Sequence, residues 1–481
     1  MSALTCFELL LSFKPSRSRH LALTALLLSP LTTGCFGFEG GANMNEQAPG
    51  SGDDGVHLSL GDIAIHPDGS HLLARSGDIL IRADIDNGHA RELPGLPKPE
   101  RLAFDPASDR VFVTSFTDKG PRLVAYDTDT GAQDWAVPTD IVSYSLPDLN
   151  YGSSMPRLAP TRDGQLLLAS HEDRVEIFEP SSGSVIHELA SPRAIVDVDV
   201  DNNSHTAFLT LDHEWNDETD IPETLLEIVD LDAGTKKTVS IPNCSSELMI
   251  AEQAAIGFIA PTTCQRDPVS VIDLATGEFV KNLPGFGPVA LPLRSSVAVA
   301  FADTTNLDME LFGPEDPVPS EEDGRFHLMF IDVDTLAFDF IPVGDELPRF
   351  AMAPQGDLLV VDHDYGGWLG QEGGTRVRIL DLHSRELINV AGPEVELDHY
   401  SWSPDGQAVW LLDDGLFELS VPKRQVIERP LAFEPTNLNM TPDGSRLILR
   451  EDSSTLWVFD TETTTLEREI QVDADSVSQG G

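Results

Sequence analysis

"LNMTPDGSRLILREDSSTLWVFDTETT", residues 438–464, holds two turns and the strands that join them, and its grammar returns along most of the chain. An apolar strand runs into Pro-Asp-Gly. Proline presets a negative φ and glycine accepts a positive one, so the backbone must reverse there. The same half recurs as "IAIHPDGS" (63–70), "LAFDPASD" (102–109), "FAMAPQGD" (350–357) and "YSWSPDGQ" (400–407). The other half is a β-branched strand that ends in a turn, usually an acidic one. Its openers are Asp84, Asp127, Glu179, Asp230, Asp273, Asp332, Asp381, Ser420 and Asp460, spaced 39 to 59 residues apart. A short polar side chain there hydrogen-bonds the backbone two residues on and closes a hairpin between a third and a fourth strand.

Four short strands per unit without a helical period predict an all-β fold, a β-propeller of four-stranded blades. A lone sheet of this kind would expose two apolar faces. Units must therefore stack, and a closed ring leaves no uncovered end. Nine units can be counted. Propellers of seven or eight blades are commoner than nine, and a ring of eight would make one unit an extension of its neighbour.

The chain has 481 residues, 41% of them hydrophobic, and no apolar run after residue 34 reaches the roughly 18 to 20 residues that span a bilayer. Against 31 Lys and Arg stand 80 Asp and Glu, a formal charge of -49, which repels phosphate backbones and excludes nucleic acid as a partner. At the front, Lys14, Arg17 and Arg19 precede an apolar stretch, Leu21 to Leu31, and a small-residue run, Thr32-Thr33-Gly34, before Cys35. This resembles the bacterial lipoprotein signal, in which the cysteine is acylated and becomes the new N-terminus, although Thr32 stands where that family prefers leucine. An ordinary secretory signal is the alternative. The resemblance implies a membrane partner through an N-terminal lipid anchor, and Phe36 in place of an aspartate implies the outer membrane. The expected organisation is a signal peptide (1–34), a flexible tether (35–56), the propeller (57–473) and a disordered tail (474–481).

Without Cys6 and Cys35, two cysteines remain, Cys244 and Cys264. They flank "SSELMIAEQAAIGFIAPTT", which reads as strand, turn, strand. A turn centred on Ala254 makes antiparallel partners sum to 508 and sets the cysteines opposite one another. An oxidising compartment then predicts a structural disulfide, the alternative being two free thiols.

"IPVGDELPRFAMAPQGDLLVVDHD" (341–364) and "DPVSVIDLATGEFVKNLPG" (267–285) resemble the YVTN-type propeller repeat, a relative of lactonase-like and TolB-like propellers. "AYDTDTGAQDW", Ala125 to Trp135, is similar to the quinoprotein repeat A-x-D-x-x-T-G-x-x-x-W, which implies that Trp135 packs between neighbouring blades. One copy argues against a quinone, and no cofactor is expected.

Long insertions interrupt the grammar at 212–224, 303–325 and 362–375, between second and third strands, and at 140–156, between one unit and the next. Strands alternate in direction, so all four emerge on one face. The aromatic candidates on that binding face are Trp215, Tyr365, Trp368, Tyr144 and Tyr151. Asp212, Glu214, Asp217 and Asp220 offer hard oxygen ligands suited to calcium, without the EF-hand spacing. No G-x-S-x-G, H-E-x-x-H or P-loop supplies a nucleophile, a zinc pair or a phosphate cradle. The reading is a non-enzymatic binding or scaffold module of the cell envelope, with a protein or glycan partner. Two other functions stay open: a periplasmic lactonase-type hydrolase, and a component that resembles the propeller lipoprotein of the outer-membrane barrel assembly machinery.

Overall fold

The computed structural model describes Val56–His57 and residues 63–472, apart from 95, 97, 118–119, 140–156, 202–204, 217–220, 242–246, 252–253, 261–267, 291–295, 321, 323, 345–348, 363–376, 396, 398 and 453. Cys35, Cys244 and Cys264 lie outside these residues.

Nine antiparallel sheets follow one another along the chain, each made of four consecutive strands. They form the blades of a propeller at 63–92, 99–138, 157–190, 195–241, 247–283, 286–344, 349–389, 399–429 and 437–471. The count of nine is the one the turn grammar gives. First strands of successive blades touch one another, so they line the centre, and fourth strands form the rim. Blade 2 carries a fifth strand, Val56–His57, on the inner side of Pro99–Phe104, with Val56 opposite Leu102 and His57 opposite Arg101.

The hydrophobic core is divided among the interfaces between blades. In the strand Ile79–Asp84, Leu80 joins residues of blade 2 while Ile81 joins residues of blade 9. Phe112 turns to blade 3, and its neighbours Val111 and Val113 turn to blade 1. Successive side chains on a strand point to opposite faces, and here both faces are buried, so inner strands are apolar without interruption. The ring closes where Ile63, Leu72 and Ile81 of blade 1 meet Ile448, Val458 and Ile470 of blade 9. Among the described residues no strand is exchanged across that seam. At its rim Arg446 bonds Asp86 at 2.7 Å and Glu467 at 3.0 Å.

The acidic turns close one residue further on than the sequence implies. Oδ1 of Asp127, Asp230, Asp273, Asp332 and Asp460 accepts the N–H three residues later, at 2.6 to 2.9 Å. Asp84 and Asp381 accept from both the second and the third residue. The extra residue is needed because the fourth position past the opener is left-handed, which sends the chain back into the fourth strand. Glycine fills it at 88, 131, 183, 234 and 277, whereas Leu336, Arg385, Arg424 and Thr464 hold φ between 53° and 58°.

Trp135 packs between blades as its repeat implies. Its indole N–H donates to Pro180 O at 2.9 Å, and a Cβ on Gly183 would lie 2.5 Å from its ring. The corresponding place on other rim strands reaches the next blade's turn in the same way. Arg91 donates to Asp129 O at 2.8 Å and Lys281 to Leu336 O at 3.0 Å, while His187 Nε2 lies 3.0 Å from Asp232 O. One tryptophan motif is thus a single spelling of a docking position that arginine, lysine or histidine fills elsewhere.

The hairpin at 247–260 corrects an expectation. Glu247 pairs with Ala260 and Ala251 with Ile256, so partners sum to 507 and the turn is not centred on Ala254. An even loop of four residues, with Ala255 left-handed at φ 53°, takes the place of an odd one.

Candidate functional site

Connections between second and third strands, and between one blade and the next, share one face because each strand reverses direction. Two of the four insertions, at 212–224 and 303–325, fall largely within the described residues.

The insertion at 212–224 is a hairpin that prolongs two strands of blade 4. Thr206–Asn216 and Ile221–Asp230 stay paired out to Asn216 and Ile221, past an irregularity after Leu211. Trp215 lies in this ladder opposite Pro222. Glu214 and Glu223 stand opposite each other, a like-charge pair that costs energy unless a cation joins it. Arg193 supplies the cation: Nη2 lies 3.3 Å from Glu214 and 3.4 Å from Glu223, and Nη1 donates to Glu223 O at 2.7 Å. Glu214, a calcium candidate, is thereby engaged by arginine. Asp212 lies 3.3 Å from His213 Nδ1. Asp217, Asp220, Tyr144, Tyr151, Tyr365 and Trp368 fall outside the described residues.

The insertion at 303–325 is an arm with a fastened base. Asp303 ends the second strand of blade 6, and Arg325 precedes the third. The guanidinium grips the carboxylate with both ends, Nε to Oδ1 at 3.1 Å and Nη2 to Oδ2 at 2.7 Å. The Thr305 N–H and hydroxyl and the Asn306 amide donate to the same carboxylate at 2.7 to 3.0 Å. Further out, a short 3-10 turn, Met309–Leu311, is capped by Asp308. Phe312 then stakes the arm to the rim strand, 5.8 Å from Phe338 and 6.3 Å from Phe340. The arm presents Met309 (57% exposed) and Val318 (50%) among the exposed acids Glu310, Glu315, Asp316 and Glu322.

Burial alone would raise the pKa of Asp303, but the Arg325, Thr305 and Asn306 donors hold it down to about 2, below its ordinary 3.8. A depressed carboxylate pKa contributes stability that is complete above the unfolded value and fades as pH falls through the folded one. The clamp should therefore hold above about pH 5 and open between about pH 4 and pH 2. Limited proteolysis is expected to cut within 306–322 at pH 2.5 and not at pH 7. Arg325→Met should permit the same cut at pH 7 and lower stability by about 1–2 kcal/mol.

The opposite face carries the turns between first and second strands. In blade 1 that turn brings together His66, Asp68 and His71, whose ligand atoms lie within 4.8 Å of one another. Both imidazoles are buried, at 5% and 0% exposure, and they stack at 4.3 Å. Desolvation, followed by the charges of His66 and Arg82, holds His71 down to about 3, so it is neutral at physiological pH. Sequence reasoning passed over this trio inside a turn it had already explained; the visible signal was imidazole at both ends of the reversal.

No known protein family and no curated protein matches the chain. Among solved structures, it is similar to Kuenenia stuttgartiensis hydrazine synthase, with 15% identity over 69% of this chain and 99% of that one and a TM-score of 0.37. It is similar to a eukaryotic initiation factor, with 11% identity over 86% and 88% and a TM-score of 0.45. A third likeness is to the computationally designed Ika8 protein, with 12% identity over 85% and 100% and a TM-score of 0.45. Likenesses this distant carry no functional meaning.

Proposed function

We propose that the chain is a non-enzymatic binding or scaffold propeller of the bacterial cell envelope, held at the outer membrane by an acylated Cys35. It offers the insertion-bearing face to a protein or glycan partner. The observation that carries this reading is the fastened arm at 303–325. A connection that only links two strands needs neither a two-pronged Asp303–Arg325 clamp nor an aromatic stake at Phe312. Ordering such a segment costs roughly 1–2 kcal/mol of entropy per residue. Exposed apolar side chains on an ordered acidic frame are the makeup of a recognition surface, and they select a partner with basic groups.

The inner strand Val56–His57 fixes where the described chain joins the ring. It runs antiparallel to Pro99–Phe104, which heads for the turn at Asp105, so the chain enters the ring from the face opposite the insertions. The reading includes kinship with YVTN-type and lactonase-like propellers, carried by the blade grammar.

The test is purification of the acylated full-length chain from envelopes by mild detergent, with mass spectrometry of bound material. The comparison is a variant in which a four-residue turn replaces 306–322. A partner enriched with the native chain and reduced at least about tenfold with the short-armed one is expected, and Cys35→Ser should release the chain from the membrane fraction. Equal recovery with both chains, or turnover of a lactone panel by the purified protein, would overturn the proposal.

A further inference from the structure

The backbone does not need the imidazoles of the blade 1 turn. His66 N–H donates to His71 O at 2.9 Å and Gly69 N–H to His66 O at 2.8 Å. In blade 7, Ala353 N–H donates to Leu358 O at 2.9 Å and Gly356 N–H to Ala353 O at 2.8 Å, the same two bonds at the same lengths with no polar side chain at either end. In blades 3, 8 and 9 the first position is Thr161, Ser403 or Thr441, whose hydroxyl serves the turn. The closing position in those blades is Leu166, Ala408 or Arg446.

The histidines are also left unsatisfied. Nε2 of His66 and Nε2 of His71 are both buried without a hydrogen-bond partner, and each such orphan costs about 1–3 kcal/mol. Nδ1 of His66 faces Asp68 Oδ1 at 2.7 Å while it also receives the Asp68 N–H at 3.3 Å. A nitrogen lone pair and a carboxylate oxygen come this near only with a proton or a cation between them. Nδ1 of His71 is bonded to the Ser70 hydroxyl at 2.8 Å, which leaves Nε2 as its free donor. Asp68 is half exposed and opens the group to solvent.

We infer that His66, His71 and Asp68 bind one divalent transition-metal ion of the zinc class at the turn between the first two strands of blade 1. Two imidazoles and one carboxylate are a donor set suited to such an ion and poorly suited to calcium or magnesium. Metal–ligand distances of about 2.0–2.2 Å require donors about 3–3.5 Å apart. A spread of 4.8 Å closes to that by small side-chain rotations. The site lies at the ring seam: a Cβ on Gly69 would be 3.5 Å from Pro442 of blade 9, and Phe104 of blade 2 meets the His66 ring edge-on at 5.1 Å. Metal bound there would brace blades 9, 1 and 2, and only the folded ring offers the trio, so the ion should raise the unfolding temperature.

Chelator-treated full-length protein, titrated with Co²⁺ and then Zn²⁺, tests the site. Expected are one Co²⁺ per chain with visible d–d absorption, its displacement by Zn²⁺, and a higher unfolding temperature with metal. The double variant His66→Ser/His71→Ala rebuilds the Ser403–Ala408 turn, which this chain already folds. It should bind Co²⁺ at least about 100-fold more weakly, lose the metal-dependent thermal shift, and melt no earlier than the metal-free native chain. Asp68→Asn should weaken binding about tenfold. Should the double variant not fold, His71→Leu, the residue found at 166 and 358, takes its place. The proposal fails if the native chain binds neither ion at micromolar concentration, or if a folded histidine variant keeps native affinity.

Discussion

Glu227→Ala is expected to destabilise the protein by about 3–5 kcal/mol, read as a lower urea midpoint at unchanged slope. Glu227 sits on the third strand of blade 4 with no exposed surface. Lys236 on the rim strand donates to Oε1 at 2.6 Å, and the Ser191 hydroxyl, from the segment that leaves blade 3, donates to Oε2 at 2.6 Å. Thr238 adds a longer bond at 3.4 Å. Removing the carboxylate leaves the buried Ser191 hydroxyl without its acceptor and the Lys236 ammonium, at the rim, with the Ala190 carbonyl alone. Replacing both charges by matched apolar groups, Glu227→Leu with Lys236→Met, should recover most of the loss, because the penalty comes from the unpaired partner more than from the lost pair. A double variant no more stable than Glu227→Ala would show that the pair itself carries the energy.

Ile448→Asp should cost at least about 4 kcal/mol, since it sets an unpaired carboxylate in an apolar interface. Ile448 is fully buried between blades 9 and 1. Leu209, equally buried on the second strand of blade 4 against blade 3, is the matched control. The seam holds the same kind of apolar packing as interfaces between sequence neighbours, so both aspartates should lower the urea midpoint to a similar extent. A seam variant that loses less than half of what Leu209→Asp loses would mean that closure adds little to stability.

The fold was legible because its determinants are local. An Asp that opens a turn and a left-handed residue four places on are both written within seven residues, and the number of such turns gives the number of blades. What escaped depended on the hairpin that a short loop selects. The loop at 252–255 has an even length set by Ala255 turning left-handed, a state that alanine does not advertise. The turn at Thr161–Leu166 carries no proline signal, since Arg162 stands where the others have proline, yet it makes the same backbone bonds. For 212–224 and 303–325, the place of the insertions between second and third strands was legible from lengths alone. Their chemistry was not: that Glu214 answers to Arg193, and Asp303 to Arg325, follows from pairings 21 and 22 residues apart in sequence that no periodicity encodes. The histidine trio needed a comparison of each turn with its counterparts in other blades.

Among the described residues the four strands of each blade are one unbroken length of polypeptide, and one strand alone, Val56–His57 on blade 2, comes from outside its unit. Duplicating or deleting one of the units between blades 3 and 7 therefore severs no strand ladder; it changes only the angle at which each neighbour leans. An ancestral chain could lengthen its circumference one module at a time, each step leaving two compatible greasy surfaces to meet. A nine-membered circle is then open to growth by copying, and its odd number needs no special keystone.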